Sequence, residues 1–322
     1  MLSRTADHLY WMARYMERAE NTARMLDVLS RAAMLMPSGA DAEQSWHGIL
    51  SISELTPAFT QKYGPVSEAK VIDFMVRDET NPSSILSCLR AARENARAVR
   101  GTLTTEVWET HNQTWLEFNR LAGNGALESD PGNVFEWVKF RSHLSRGVTV
   151  GTMLQDEALF FQRIGTFLER ADSTARLLDV RFHALTGGKD FFGPGKGKEA
   201  LEVDFYHWSA LLRSVSGFEI YRRVYRTVIR PDKVADLLML RPDMPRSLVH
   251  CMNEVRANLM LVANDQSNET LRHAGRMQAD LEYGRIDEIL ATGLHAYLSQ
   301  FLERVNDLGV RISRDFLVPV QA

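Results

Sequence analysis

The chain holds only two cysteines, Cys88 and Cys251, in 322 residues. That excludes a disulfide framework, and their separation gives no metal spacing. Both fall inside apolar helical patterns, so buried free thiols are expected. No stretch approaches 18 uninterrupted apolar residues, which excludes a spanning helix. The opening MLSRTADHLYW carries no long apolar core of a secretory signal. A reduced, cytoplasmic setting is the expectation. Charge of either sign is not in excess: the net charge is −3. Nucleic-acid binding usually asks for a strongly basic face, so no nucleic-acid partner is expected. Alternation of period two is also missing, so no sheet is expected.

Several reaction signatures are absent as well. There is no G-x-S-x-G, no H-E-x-x-H and no phosphate-loop pattern. Glu-x-x-His, which carboxylate-bridged metal sites in helical bundles require, does not occur. The nearest approaches are Asp204 with His207 and Glu269 with His273. No metal site and no cofactor is expected.

What the chain does have is one helical stretch written twice. Residues 17–28 read ERAENTARMLDV and residues 169–180 read ERADSTARLLDV, identical at nine of twelve positions. Shared apolar positions ask only for a core. Shared Glu, Arg, Thr, Arg and Asp ask for something those groups do together. Wound at 3.6 residues per turn, Met12, Met16, Ala19, Ala23 and Leu26 make one apolar stripe. Glu17, Glu20, Arg24 and Asp27 gather beside it. Glu20 and Arg24 are i,i+4 neighbours with the acid first, the better order for a pair. The second copy repeats this as Asp172 and Arg176, flanked by Glu169 and Asp179. Three readings follow: a solvent-facing salt ladder, a buried charge network where the copies meet, or a polar site with Glu17 or Glu169 as base or ligand. So apolar a helix favours burial.

The whole chain reads as all-α. Helices are expected over 3–35, 43–55, 67–77, 81–100, 103–121, from 134, to about 185, then 204–226, 231–239, 245–262, 268–283 and 286–315. PAFTQKYGP, 123–133 and 186–198 read as loops, and Gly147 and Gly151 as a kink, break or close approach. Pro82 is expected at a first helical position. NPSSILSCLRAAREN (81–95) is matched by MPRSLVHCMNEVRAN (244–258). A partial third echo lies at Phe301-Leu302-Glu303-Arg304. The expectation is an internally duplicated helical bundle, halves about 1–140 and 141–322, closed by a final helix. The two ER helices would face each other across a polar centre.

Further candidates are Asp156 and Glu157, beyond the glycines, and a basic patch around Arg222 and Arg226. As an enzyme, the chain would use Glu17 and Glu169 as acid/base groups. Arg18, Arg24, Arg170 and Arg176 would clamp an anion, since guanidinium forks suit carboxylates and phosphates.

The ER motifs, SHLSRGVTVGTM (142–153), SALLRSVSGFEIYRRVYR (209–226) and RPDMPRSL (241–248) together resemble the alpha-E family, catalogued as a domain of unknown function. The resemblance covers almost the whole chain and implies a single all-helical domain with a characteristic glutamate, which Glu17 and Glu169 fit. It also implies partners: members are typically encoded beside, or fused to, a circularly permuted ATP-grasp protein and a transglutaminase-like peptidase. An accessory subunit that binds the ATP-grasp partner or its peptide substrate is therefore expected ahead of an amide- or peptide-cleaving enzyme, or a helical scaffold with no small-molecule site.

Overall fold

In the computed structural model, residues 1–35, 40–186 and 208–317 are described, and every regular element among them is a helix. The Asp204–His207 pair and all but the first residue of the 186–198 stretch lie outside the described residues.

Two long helices make the centre: α1 (Ser3–Leu35) and α9 (Glu157–Thr186). They run side by side in the same direction. The Met1 amino group pairs with Glu157, Tyr10 lies against Gly165, Glu17 reaches Arg170, and Met25 and Leu177 line one small cavity. Gly165 is what lets them approach. A Cβ there would stand 2.3 Å from the Tyr10 carbonyl oxygen, so no larger residue fits.

The apolar stripe of α1 is buried as its periodicity implies: Met12, Met16, Ala19, Ala23 and Leu26 all lie in the core. Burial goes further than one stripe, because every residue from 19 to 27 is buried. A helix buried all round must satisfy its polar residues internally. That constraint explains the site described below.

Each central helix gathers a similar set of neighbours. Helices α5 (Ile85–Ala98) and α8 (Pro131–Thr152) pack on α1, with α6 (Thr105–Gly123) touching both. Residues 208–214 are helical (α10), followed by α11 (Phe218–Tyr225) and α12 (Pro231–Met239). Then α13 (Leu248–Leu261) and α16 (Leu294–Phe316) pack on α9, with α14 (Asn268–Glu282) touching both. Helix α15 (Ile286–Thr292) precedes α16, and the short α2 (Ala40–Ile52) touches both central helices.

Matching local chemistry sets corresponding ends. Ser84 caps α5 by accepting from the Ser87 N–H, and Ser247 caps α13 by accepting from the His250 N–H. Tyr63 donates to Asp73 on α4 (Glu68–Val76), as Tyr225 donates to Asp236 on α12.

Several boundaries differ from the sequence reading. PAFTQKYGP is mostly helix, α3 (Thr56–Tyr63), because Pro57 sits in its first turn, where a missing N–H costs nothing. Pro82 does not begin α5; Ser84 caps it and Pro82 lies in the turn before. The 123–133 loop holds α7 (Ala126–Ser129) and the first turn of α8, capped by Asp130. Helix α8 runs through Gly147, and a Cβ at either Gly147 or Gly151 would meet nothing, so the break comes only at 153–156. The 204–226 helix is interrupted after 214, with Ser216 at φ 54°. The last helix is interrupted at Gly293, whose φ of 103° favours glycine.

Candidate functional site: a crossed Glu–Arg clasp

The ER dipeptides of α1 and α9 meet at the centre and pair crosswise. Arg170 donates through Nε and Nη2 to the two oxygens of Glu17, 2.9 Å each. Arg18 in turn grips both oxygens of Glu169, with Nη2 at 3.1 Å. Thus the Glu of each motif is held in a two-toothed fork by the Arg of the other. This geometry is the stronger, charge-assisted kind of hydrogen bond.

Other arginines complete the shell. Arg246 Nη1 donates to Glu17 at 3.1 Å and to Asn21 at 2.8 Å, while its Nη2 donates to Glu20 at 2.6 Å. Arg146 bridges Glu17 and Glu20. Glu20 also accepts from Arg24 at 2.7 Å and from the Ser142 hydroxyl at 2.7 Å. Arg14 adds a 2.7 Å bond to Glu169 and stacks its guanidinium on Trp11. Glu17, Glu20 and Glu169 are 1%, 0% and 5% exposed. This is the buried network, and the solvent-facing ladder is set aside.

Burial alone pushes a carboxyl pKa up, but the guanidiniums outweigh it here. Burial raises Glu17, yet Arg170 and Arg246 bring it below the usual carboxylate range. Glu20 lies well below it through Arg246, Arg146 and Arg24, again against burial. Glu169 is brought down to about 2 by Arg14 and Arg18. All three are therefore carboxylates at neutral pH. A general base works best with a pKa near the operating pH, and these are held far from it.

The remaining sequence candidates are spread more widely. Asp172 pairs with Arg176 at 2.8 Å, as Glu20 does with Arg24, and Arg176 also reaches Glu54. Asp27 turns the other way, to Arg31 at 2.8 Å and Lys139 at 2.7 Å. Asp179 meets His295 at 2.7 Å. Asp156 accepts from the Ala158 N–H at the start of α9, and Glu157 holds the chain's first amino group. Neither joins the clasp. Arg222 and Arg226 are exposed, and Arg226 takes φ 51° at the end of α11, so no continuous basic helix face forms. The third echo also stays out: Glu303 is exposed and Arg304 pairs with Asp280. Glu269 lies near Arg272, and His273 reaches the Arg304 carbonyl. Cys88 and Cys251 are buried free thiols, with burial pushing both up to about 12.

Arg14, Asn21, Ser142, Arg146 and Arg246 were not singled out from sequence. The signal existed for three of them. Ser142 and Arg146 lie in SHLSRG and Arg246 in MPRS, segments whose resemblance to the family had no apolar explanation.

Two cavities flank the clasp. One, of about 150 Å³, lies on the Glu17 side between α1, α6, α8 and α9, walled by Met12, Met16, Phe167, Arg146, Arg163 and Gln162. His111 also lines it, kept neutral with a pKa of about 4 by burial and by Arg141, and its Nδ1 has no partner. The other, of about 200 Å³, lies on the Glu169 side, with Asn21, Ser83, Glu54, Asp172 and Arg176 in its wall.

Among known proteins, the chain is similar to an uncharacterized protein of Mycobacterium bovis and to uncharacterized proteins from two strains of Mycobacterium tuberculosis. Each is 24% identical over 94% of this chain and 35% of the relative. The chain thus spans about a third of the length of the curated relatives it matches. No solved structure matches it. The Alpha-E model, described as "a predicted alpha-helical domain with a conserved ER motif", matches residues 1–317. On that match, and with its two ER dipeptides locked to each other, the chain belongs to the Alpha-E family.

Proposed function

We propose that the chain is a non-catalytic binding subunit of an ATP-grasp amidoligase or peptide-modification system. One observation carries the first part of this reading: the glutamates of both ER motifs are buried, ionised and clamped by at least two guanidiniums each. Such groups hold a structure together and have little left to offer a reacting amide. The choice of an ATP-grasp partner follows from the usual company of Alpha-E proteins. Two surface features support a binding role. Phe140, Leu144 and Val150 are exposed along α8, and Leu154 is exposed in the break that follows it. Arg146 and Arg163 also line the 150 Å³ cavity, where a peptide carboxylate would find guanidinium donors.

The test is co-expression with the circularly permuted ATP-grasp protein that accompanies an Alpha-E protein. The reading expects a complex that survives size exclusion, and ATP turnover by the partner that rises with the chain present. Peptide or amide cleavage by the isolated chain, abolished in Glu17→Gln while its fold persists, would overturn it.

A further inference from the structure

The two sides of the clasp share part of their construction and differ in the guanidiniums that serve them. On the Glu17 side, Arg24 donates to Glu20 and, at 2.7 Å, to Ser216, a residue at φ 54°. On the Glu169 side, Arg176 donates to Asp172 and to Glu54, a residue at φ 57°. The residue before the capping serine differs. Before Ser247 stands Arg246; before Ser84 stands Ser83. Arg246 threads its guanidinium between Glu17 and Glu20 and onto Asn21. Ser83 is too short for that, and it lines the 200 Å³ cavity together with Glu169 and Asp172.

We propose that this cavity is a binding site for an alkylguanidinium ligand, which occupies beside Glu169 and Asp172 the place Arg246 occupies beside Glu17 and Glu20. The proposal stands apart from the partner reading above, since it requires no second protein.

Two observations support it. First, the acceptors are under-used. Among the described residues, Glu169 Oε1 takes one donor, Arg18 Nε, where Glu17 Oε1 takes two. Among the described residues, Asp172 takes only Arg176, on one oxygen, where Glu20 takes four donors. Second, one guanidinium fewer serves this side. Glu17 and Glu20 are met by four arginines, Arg24, Arg146, Arg170 and Arg246. Glu169 and Asp172 are met by three, Arg14, Arg18 and Arg176. The volume greatly exceeds the roughly 10–15 Å³ that admits one water. Desolvation also leaves the half-buried Asp172 carboxyl raised despite Arg176.

Agmatine, a guanidinium with no carboxylate, is the probe, followed by free arginine and a short arginine-containing peptide to separate the natural sources. Calorimetric titration of the full chain should show saturable agmatine binding and a raised melting temperature. Butylamine, with an ammonium on a similar stem, should bind at least roughly tenfold more weakly, since it lacks the planar fork. Ser83→Arg should supply the guanidinium from within and abolish agmatine binding. Should Ser83→Arg fail to fold, Asp172→Asn is the second variant, expected to weaken agmatine by roughly tenfold or more through loss of a charged acceptor. No binding to the wild-type chain overturns the proposal. So does equal binding to the wild-type chain and to either folded variant, which would place the ligand elsewhere.

Discussion

Glu17 and Arg170, 153 positions apart, face each other through two parallel 2.9 Å hydrogen bonds, and Glu169 and Arg18 repeat the grip in the opposite sense. Because both pairs are buried, shape matters as well as charge. Arg170→Lys keeps the cation but loses the fork. It should lower stability by about 1–3 kcal/mol, read as a reduced denaturant midpoint at unchanged slope. A midpoint equal to the wild type would mean the fork contributes nothing.

Stability should fall steeply in acid. The Glu169 carboxyl is depressed to about 2 in the folded chain, against about 4.3 when unfolded. Between those values the unfolded chain binds more protons, so stability falls as pH drops through the window. The stabilisation is fully present above about pH 5, and this one group accounts for on the order of 3 kcal/mol of it. Glu17 and Glu20 shift in the same direction and add to the loss. Chemical denaturation from pH 6 down to pH 2 checks this. In Glu169→Gln the slope should be visibly shallower.

Asp172 should behave oppositely to its neighbour Glu169. Its pKa is raised, chiefly by burial, with Arg176 only partly offsetting it. Ionisation at neutral pH therefore carries a cost that protonation removes. Asp172→Asn is expected to leave the melting temperature unchanged or raise it slightly, while Glu169→Gln lowers it. A matched loss in both would show that the two carboxylates contribute alike.

Gly165→Ala ordinarily gains about 1 kcal/mol in a helix interior. Here the new Cβ would meet the Tyr10 carbonyl oxygen at 2.3 Å, and backbone cannot step aside as a side chain can. The variant should melt several degrees lower. Gly147→Ala, where a Cβ meets nothing, should melt the same or slightly higher.

The fold class was legible because helical periodicity dominates the chain and the ER helix repeats with its polar residues intact. The i,i+4 pairs Glu20–Arg24 and Asp172–Arg176 were legible for the same reason, since they depend on one helix alone. The crosswise pairing was only partly so. Repetition of Glu17-Arg18 as Glu169-Arg170 points to a joint role, but which Arg meets which Glu depends on how two distant helices approach, and that rests on Gly165. Arg246 was harder still: it reaches Glu17 from 229 residues away, out of a turn with no periodicity. The breaks at Ser216 and Gly293 escaped because single left-handed residues leave little trace in apolar spacing.

The most direct test of the clasp is the thermal melting of Glu17→Gln and Glu169→Gln, each alone and then combined. Removing one partner of a buried pair costs about 3–5 kcal/mol, which for a chain of this length lowers the midpoint by several degrees. The account predicts such a drop in each single variant. It also predicts a combined loss that differs from the sum, since the pairs share one network. Midpoints unchanged or raised in both single variants would contradict it, and would mean that the paired glutamates carry a strain tolerated for function.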